Sequence, residues 1–311
     1  MKKTLDSNAI KLVAIAAMTV DHVAWWLFPG YPRAVLPLAM HIIGRLTCPI
    51  MCYFVAEGYH HTRDIRKYTA RMFLFAVISH FAYVFASADF AGWRSFIPFS
   101  SGRVLNQTSV MWSLAWGLVM LRVVHDRRLR PAVQVALILL ICLVSFPADW
   151  SCIAALCIMA FGTNRGKLKT QALWMMFYVA LYAVVYALAL DWVYGLVQLA
   201  VVLAVPVLAL YNGQRGPSPR VNTVMKWLFY LYYPAHLALI GWLQMQWDAD
   251  TRNAFGAPGI FCWRGRFTAR DARASLWPVV SSPGRRCPER CPDGTAPAAP
   301  SWARGRLWRR K

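Results

Sequence analysis

Long apolar runs alternate with short polar loops through the first 250 residues of the chain. Most of the runs approach the roughly 20 residues that a helix needs to cross a bilayer. The pattern predicts an all-α, polytopic transmembrane helix bundle with about nine or ten spans. The candidate helices cover residues 9–28, 34–59, 71–88, 108–124, 132–147, 149–162, 171–190, 192–211 and 223–246.

Composition agrees with a membrane protein. The chain of 311 residues is 58% hydrophobic and only 15% charged, with a mean hydropathy of +0.39. A soluble protein would carry roughly 25% charged residues. The net charge of +21 would suit nucleic-acid binding, but the basic residues concentrate in short loops between apolar runs. We therefore expect the lipid bilayer, and not nucleic acid, as the partner.

The distribution of Lys and Arg predicts the topology. Basic residues are frequent at the N-terminus and in four loops, whereas the opposite side of the predicted bundle carries only Arg33, Arg94 and Arg103. By the positive-inside rule, the basic side and the N-terminus are cytoplasmic, as in a protein of the bacterial inner membrane. The first helix is not a cleavable signal, because Asp21 and His22 interrupt it. The four basic loops are 60–71, 122–131, 163–170 and 212–226.

Two regions differ in composition, a membrane domain over residues 1–250 and a tail over 251–311. The tail is rich in Arg and Pro and lacks a spanning apolar run, so it is predicted to be disordered or non-homologous. Its Cys287 and Cys291 have no His partners, and we expect no metal site. We assign no function to this tail.

Ionisable residues inside predicted spans are the strongest functional candidates, because each charge at the bilayer centre costs roughly 2.5–3.5 kcal/mol. Four helices contribute one each: His22, Arg45, His80 and His236. Counted from the cytoplasmic helix ends, their depths are on the order of 14–21 Å. The agreement predicts a polar chamber near the bilayer midplane.

Asp21 and His22 are adjacent, so their side chains project about 100° apart around the helix. Asp21 is expected to pair with Arg45 on another helix, either as a packing ion pair or as part of the site. His41 lies one turn from Arg45 and is placed in the same chamber. His22 is then free to act as a general base, with His236 as a second catalytic candidate.

A possible cofactor site lies toward the cytoplasm. Lys11 precedes His22 by almost three full turns, so both point along one helix face, about 16 Å apart by helix rise. That separation suits a pantetheine arm between coenzyme A phosphates and a thioester, although a lysine at a helix entry is commonly just a topology signal. A cationic rim that could hold phosphates follows the second span, at Arg63, Arg66, Lys67 and Arg71.

Several short motifs, in order across residues 8–246, resemble the TraX family, which is named for the F-pilin acetylase of conjugative plasmids. They are Met18-Thr19-Val20-Asp21-His22, Ile43-Gly44-Arg45-Leu46 followed by Pro49, Phe54-Val55-Ala56-Glu57-Gly58-Tyr59 with Thr62-Arg63, Tyr68 and Arg71, Leu105-Asn106, and Tyr232-Tyr233-Pro234-Ala235-His236-Leu237.

The resemblance implies further roles. The family is distantly similar to membrane O-acyltransferases, whose first helix carries a basic residue and a histidine at the spacing of Lys11 and His22, although Lys replaces the usual Arg. It implies a bundle of about ten helices and acyl-CoA contacts at Arg63, Arg66 and Arg71. Motif positions add Tyr68 to the cofactor site, and Glu57 and Asn106 to the polar chamber.

These observations lead to one hypothesis and two rivals. The hypothesis is an acyltransferase that moves an acetyl group from acetyl-CoA to an amine or hydroxyl, such as a pilin N-terminus. His22 would be the base, with Arg45 or His236 stabilising the oxyanion. The main rival is a proton-coupled transporter, against which stand the absence of an evident repeat and the cationic rim. The other rival is a structural partner in a secretion assembly.

Overall fold

The computed structural model of the chain describes residues 3–87, 90–100 and 105–255. Most of the tail expected over residues 251–311 therefore lies outside the described residues; its first five residues continue the last helix. Eleven α-helices occur in the described part of the chain. They are α1 (Ser7–Leu27), α2 (Val35–Gly44), α3 (Thr47–His61), α4 (Ile65–Phe85), α5 (Val110–His125), α6 (Pro131–Ser145), α7 (Ile153–Thr163), α8 (Leu168–Ala189), α9 (Trp192–Gln198), α10 (Ala204–Ala209) and α11 (Pro219–Phe255).

The predicted all-α membrane bundle is confirmed. Every predicted helix has a counterpart, although α4 begins at Ile65 rather than at 71 and α11 ends at Phe255 rather than at 246. The second predicted helix is broken into α2 and α3, and the eighth passes through a 3₁₀ segment, Leu199–Leu203. Within the part of the chain that the structure describes, five segments are long and apolar enough to cross a membrane, and α5, α6 and α7 are shorter apolar helices. The chain is thus a multi-pass membrane protein. The five spanning segments are Ser7–Leu27, Val35–His61, Ile65–Phe85, Leu168–Ala189 and Trp192–Ala209.

Aspartates begin three of the helices. The carboxylate of Asp6 accepts a hydrogen bond from the Ala9 amide, and that of Asp64 accepts one from the Lys67 amide. Asp191 does the same at the start of α9. Each satisfies a backbone N–H that the helix leaves without a partner. The bond from the Lys67 amide holds the pKa of Asp64 below its usual range.

The break between α2 and α3 follows from Pro49. Proline lacks an amide hydrogen, and its ring clashes with the carbonyl four residues earlier, which here belongs to Arg45. The α2 helix accordingly ends at Gly44, and Arg45 is its C-cap. The break places the Arg45 side chain beside α1 at the middle of a segment that otherwise resembles one span.

Helices α3, α5 and α7 form the centre of the bundle. On one side α4 packs against α5, and α11 packs against α4 and α1; on the other side α8 packs against α7. Small and aliphatic side chains allow α5 and α7 to lie close together. Leu118, Ala154 and Ile158 at this contact are completely buried. Such small-residue contacts are typical of helix packing inside a bilayer.

The segments expected on the cytoplasmic side lie at one end of the bundle. Near the N-terminus, the amides of Leu5 and Ser7 donate to Leu210 and Gln214. Glu57 is paired with Arg165 of another basic loop. The rings of His60 and His125 have centroids 5.8 Å apart, which places the α5–α6 loop at the same end. The clustering agrees with the topology predicted from charge.

Gly44 allows α2 to approach α1 at the ion pair, because a Cβ atom at this position would overlap the Asp21 side chain. We expect Gly44→Ala to lower the free energy of unfolding by about 1–3 kcal/mol, the usual cost of overpacking. Thermal unfolding of the purified protein in detergent would measure this. Ile43→Ala, at a 47% exposed neighbour, serves as the control, and an equal loss of stability in both variants would contradict the account.

Candidate active site

A buried ion pair joins α1 to the α2–α3 break. One guanidinium nitrogen of Arg45, Nη2, donates to Oδ2 of Asp21 at 2.7 Å. Both residues are buried, and the attraction between them is strong because little water screens it. The pairing predicted for Asp21 and Arg45 is confirmed.

Further hydrogen bonds complete this ion pair. Nδ1 of His41 lies 2.7 Å from Oδ1 of Asp21. Nη1 of Arg45 donates to Oε1 of Gln198 at 2.8 Å, and its Nε donates to the carbonyl oxygen of His41 at 3.3 Å. The polar atoms of the pair are thus already occupied by protein groups. Four side chains from α1, the α2–α3 segment and α9 form one buried network.

His22 contacts His236 of α11. Nδ1 of His22 lies 2.6 Å from Nε2 of His236, and Nδ1 of His236 lies 2.8 Å from the carbonyl oxygen of Tyr232. A carbonyl oxygen only accepts hydrogen bonds, so Nδ1 of a neutral His236 carries the proton and its Nε2 accepts from His22. The remaining nitrogen of His22, Nε2, then has a free lone pair. This tautomer suits a general base.

A small cavity lies beside His22. We call it the inner cavity; its volume is about 60 Å³, and it is bounded by α1, the α2–α3 segment, α5, α11 and the turn between α6 and α7. It has room for only a few water molecules. Its polar lining consists of Asp21, His22, Thr47, Asp149, Tyr232 and Tyr233.

A larger cavity of about 610 Å³, here called the basic cavity, opens at the end of the bundle that carries the basic loops. Its size is typical of cofactor sites. Five cations line it, and none of the described residues that line it is acidic. Such a lining favours an anion with several charges, such as a phosphorylated ligand. The cations are Lys11, Arg63, Arg71, Arg215 and Lys226.

The two cavities share part of their lining. Met51, Met111, Leu114 and Phe229 border both of them. These four apolar side chains come from α3, α5 and α11 and lie where the basic and inner cavities adjoin; we call them the neck. A ligand held by its phosphates in the basic cavity could pass an uncharged arm through this neck.

Lys11 and His22 lie on the same face of α1, as their spacing predicts. Lys11 lines the basic cavity and His22 the inner cavity. The Lys11 ammonium lies over the rings of Phe54 and Phe229, at 5.3 and 5.1 Å from their centroids. Because Phe229 also belongs to the neck, Lys11 stands at the entrance to the neck.

The cationic rim expected from sequence is only partly brought together. Arg63, Tyr68 and Arg71 line the basic cavity, but Arg66 and Lys67 do not. Lys67 instead lies 3.5 Å from Asp64 and is 79% exposed, and Arg66 is also exposed. The expectation for these two residues is corrected. Arg66 projects about 140° around α4 from Arg71, and Lys67 lies in the first turn of α4, where it extends toward Asp64 and solvent.

Glu57 lies outside both cavities. Its carboxylate accepts two hydrogen bonds from Arg165, each 3.0 Å long, and lies 3.3 Å from His61. The bonds to Glu57 raise the pKa of Arg165. This bidentate pair joins α3 to the α7–α8 loop. The expected place of Glu57 in the polar chamber is therefore wrong, since its position three turns along α3 is too near the helix end.

His80 and Asn106 also lie outside the chamber. Nδ1 of His80 is 3.1 Å from the Thr108 hydroxyl, and its Nε2 is 2.8 Å from the carbonyl oxygen of Phe96. The expected depth was wrong because α4 begins at Ile65 rather than near residue 71. Asn106 is exposed and has a φ of 56° in the loop before α5. His80 contacts the loop between α4 and α5, and Asn106 lies in this loop, at the end of the bundle opposite the basic cavity.

Arg45, His41 and His236 lie behind the inner cavity and do not line it. The hydrogen bonds described above already occupy these three residues. The expectation that Arg45 or His236 contacts the oxyanion therefore does not agree with their positions. Trp150 is buried. Its ring lies 5.2 Å from the Arg45 guanidinium and stacks on Tyr182.

Sequence reasoning missed several lining residues. Arg215 and Lys226 were interpreted only as topology signals, yet both line the basic cavity. Asn222 lines it as well and accepts a hydrogen bond from Asn8 at 2.7 Å. Asp149 lines the inner cavity, although its place in a turn gave no sign of burial. A charge near a helix end carries no distinctive pattern, so only the tertiary contacts reveal these positions.

Comparison with known proteins agrees with the motifs. The family model described as TraX protein matches residues 6–244. The "Probable fimbrial assembly protein FimC, serogroup H1" of Dichelobacter nodosus is 27% identical over 252 residues, which cover 77% of this chain and 97% of that protein. The "Uncharacterized protein RP591" of Rickettsia prowazekii (strain Madrid E) is 30% identical over 76 residues, or 24% of this chain and 26% of that protein. No solved structure matches the chain.

The family match covers most of the described membrane bundle, including both cavities and the buried ion pair. It also contains the ordered motifs around His22, Arg45 and His236. The chain belongs to the TraX family.

Proposed function

We propose that the protein is an acyl-CoA-dependent acyltransferase of the bacterial inner membrane, with acetyl-CoA as its donor. The observation that carries the proposal is the arrangement of two cavities around one apolar neck. The basic cavity offers five cations and no acidic lining residue, and the inner cavity offers His22. Coenzyme A has the matching order of parts: phosphates, an uncharged pantetheine arm and a reactive thioester.

The donor would bind with its phosphates among Arg63, Arg71 and Arg215, where charge-assisted hydrogen bonds are strongest. Lys11 is the cation nearest the neck and would contact the phosphates at the start of the arm. The arm would pass between the side chains of the neck. The thioester would then lie in the inner cavity, about 16 Å from Lys11 by helix rise.

The transfer step uses His22 as a general base. Nε2 of His22 removes the proton from the acceptor amine or hydroxyl as that group attacks the thioester carbonyl. A C–N or C–O bond forms, the C–S bond breaks, and the proton passes from His22 to the departing thiolate. Tyr232 and Tyr233 line the same cavity. The hydroxyl of Tyr232 donates to Thr19, whose own hydroxyl donates to the carbonyl oxygen of Ile15, so the Tyr233 hydroxyl is the proposed donor to the oxyanion.

In this proposal, His236 and the Asp21–Arg45 ion pair position other groups and do not themselves react. His236 holds the tautomer of His22 by accepting from its Nδ1, as partners of catalytic histidines commonly do. Asp21 and Arg45 fix the approach of α1 to the α2–α3 break, and Asp21 also lines the inner cavity. The name of the Dichelobacter nodosus relative refers to fimbrial assembly, so we propose a pilin-like subunit as acceptor.

We expect His22→Ala to reduce acetyl-CoA-dependent transfer by about a hundredfold to ten-thousandfold, which is the usual contribution of a general base. Acceptor-dependent thiol release by the purified protein measures it. His125→Ala is the matched control, because His125 lies at the far end of α5 and contacts Tyr59 and His60. Parent-like thiol release in His22→Ala would show that His22 is not the base. Transport without binding of coenzyme A would instead favour the proton-coupled transporter.

We expect Arg71→Gln to weaken binding of coenzyme A by about tenfold or more, since a hydrogen bond to a charged group contributes roughly 1.5–3 kcal/mol. Arg66→Gln removes a cation from the same helix outside the basic cavity and should change the affinity little. Isothermal titration calorimetry in detergent at low and moderate salt measures both. Equal weakening by the two substitutions would indicate general electrostatic attraction and contradict a built phosphate site.

A further inference from the structure

The inner cavity contains a carboxylate that the proposed mechanism does not use. Asp149 lies in the turn between α6 and α7 and lines the inner cavity with Asp21 and His22. The two aspartates differ in their partners. The oxygens of Asp21 are occupied by Arg45 and His41, whereas no ion pair joins Asp149 to any basic side chain of the described residues.

The backbone around Asp149 is held firmly. Its amide donates to the carbonyl oxygen of Thr108 at 2.8 Å, and the amide of Gln107 donates to the carbonyl oxygen of Pro147 at 2.8 Å. The turn is thereby fastened to the segment before α5. Asp149 consequently keeps its place at the wall of the inner cavity.

The two residues after Asp149 adopt an unusual backbone conformation. Trp150 has a φ of 62° and Ser151 a φ of 49°, in the left-handed region that side chains other than glycine disfavour. The hydroxyl of Ser113 donates to the carbonyl oxygen of Ser151 at 2.7 Å and stabilises this conformation. Conformations of this kind persist where surrounding contacts impose them, commonly at functional sites.

A carboxylate away from bulk water is costly unless a cation or several hydrogen bonds compensate it. Among the described residues, Arg45 is a cation close to this carboxylate, but its nitrogens donate to Asp21, Gln198 and the His41 carbonyl oxygen rather than to Asp149. The missing charge can come from a ligand. An ammonium group is small enough for a cavity of about 60 Å³ and offers hydrogen-bond donors to the carboxylate.

We infer that Asp149 binds a primary ammonium group and is the residue by which the site selects an amine over a hydroxyl acceptor. The inference rests on the proposed function for its catalytic meaning, since it names the acceptor group that reaches His22. The binding itself does not require acyl transfer. Asp149 is a positioning residue for the acceptor. One proton of the bound ammonium passes to the Asp149 carboxylate, which leaves the neutral amine, and His22 removes the second proton as the amine attacks the thioester.

Binding of n-propylammonium chloride to the full-length protein in detergent tests the inference without any donor. We expect it to raise the unfolding temperature of the parent, as a ligand of the folded state does, whereas n-propanol should not. Asp149→Asn should require about tenfold or more propylammonium for half of the effect, because a charge-assisted hydrogen bond is lost. Asp64→Asn, an exposed acid where asparagine is an equally good helix cap, should respond as the parent does.

Unchanged stabilisation of Asp149→Asn by propylammonium would overturn the inference, as would equal stabilisation of the parent by propanol. The comparison of the two ligands on the parent remains decisive if the variant does not fold. If the protein binds propylammonium but transfers no acetyl group, the proposed function is wrong and the inference about Asp149 stands. With transfer present, Asp149→Asn should raise the KM for propylamine by about tenfold or more, with a much smaller change in the KM for acetyl-CoA.

Discussion

The buried pair between Asp21 and Arg45 is the interaction on which the rest of this structure depends. Two charges inside a bilayer are tolerated when they neutralise each other and their remaining polar atoms are bonded. His41 and Gln198 provide those additional bonds. The pair therefore constrains three segments of the bundle at once, since each must supply its polar group at the same depth.

The constraint extends directly to the proposed chemistry. His22 follows Asp21 in α1, so fixing Asp21 also fixes the direction in which His22 projects. Its other neighbour is His236, which is itself held by the carbonyl oxygen of Tyr232. In this account, Asp21 and Arg45 neutralise each other's charge, whereas His22 transfers the proton. The arrangement places His22 beside a charged pair of which Asp21 lines the inner cavity and Arg45 does not.

Much of the fold followed from sequence because it is encoded locally. Runs of about 20 apolar residues and the basic loops determine helix positions and orientation. The Asp21–Arg45 pair was also predictable, since few partners exist for a charge at that depth. His80 was misplaced because its depth was counted from a helix end that sequence locates only within several residues. Glu57 was misplaced because a motif position does not specify depth in the membrane.

The two cavities could not be predicted from local sequence patterns. The contribution of Arg215 and Lys226 to the basic cavity depends on how α11 approaches α1 and α4, which no periodicity specifies. Arg66 and Arg71 have similar sequence surroundings, yet only Arg71 faces that cavity. Asp149 reaches the inner cavity through a turn whose backbone conformation is imposed by tertiary hydrogen bonds.

The central claim is that the thiol end of coenzyme A reaches the inner cavity through the neck. Cys48 lines the inner cavity and is a free thiol, so it can report this directly. Incubation with the mixed disulfide of coenzyme A and thiopyridine, followed by peptide mass spectrometry, detects where coenzyme A becomes attached. The account predicts attachment at Cys48 that excess acetyl-CoA prevents. Saturable binding of coenzyme A without modification of Cys48, or modification that acetyl-CoA does not reduce, would contradict it.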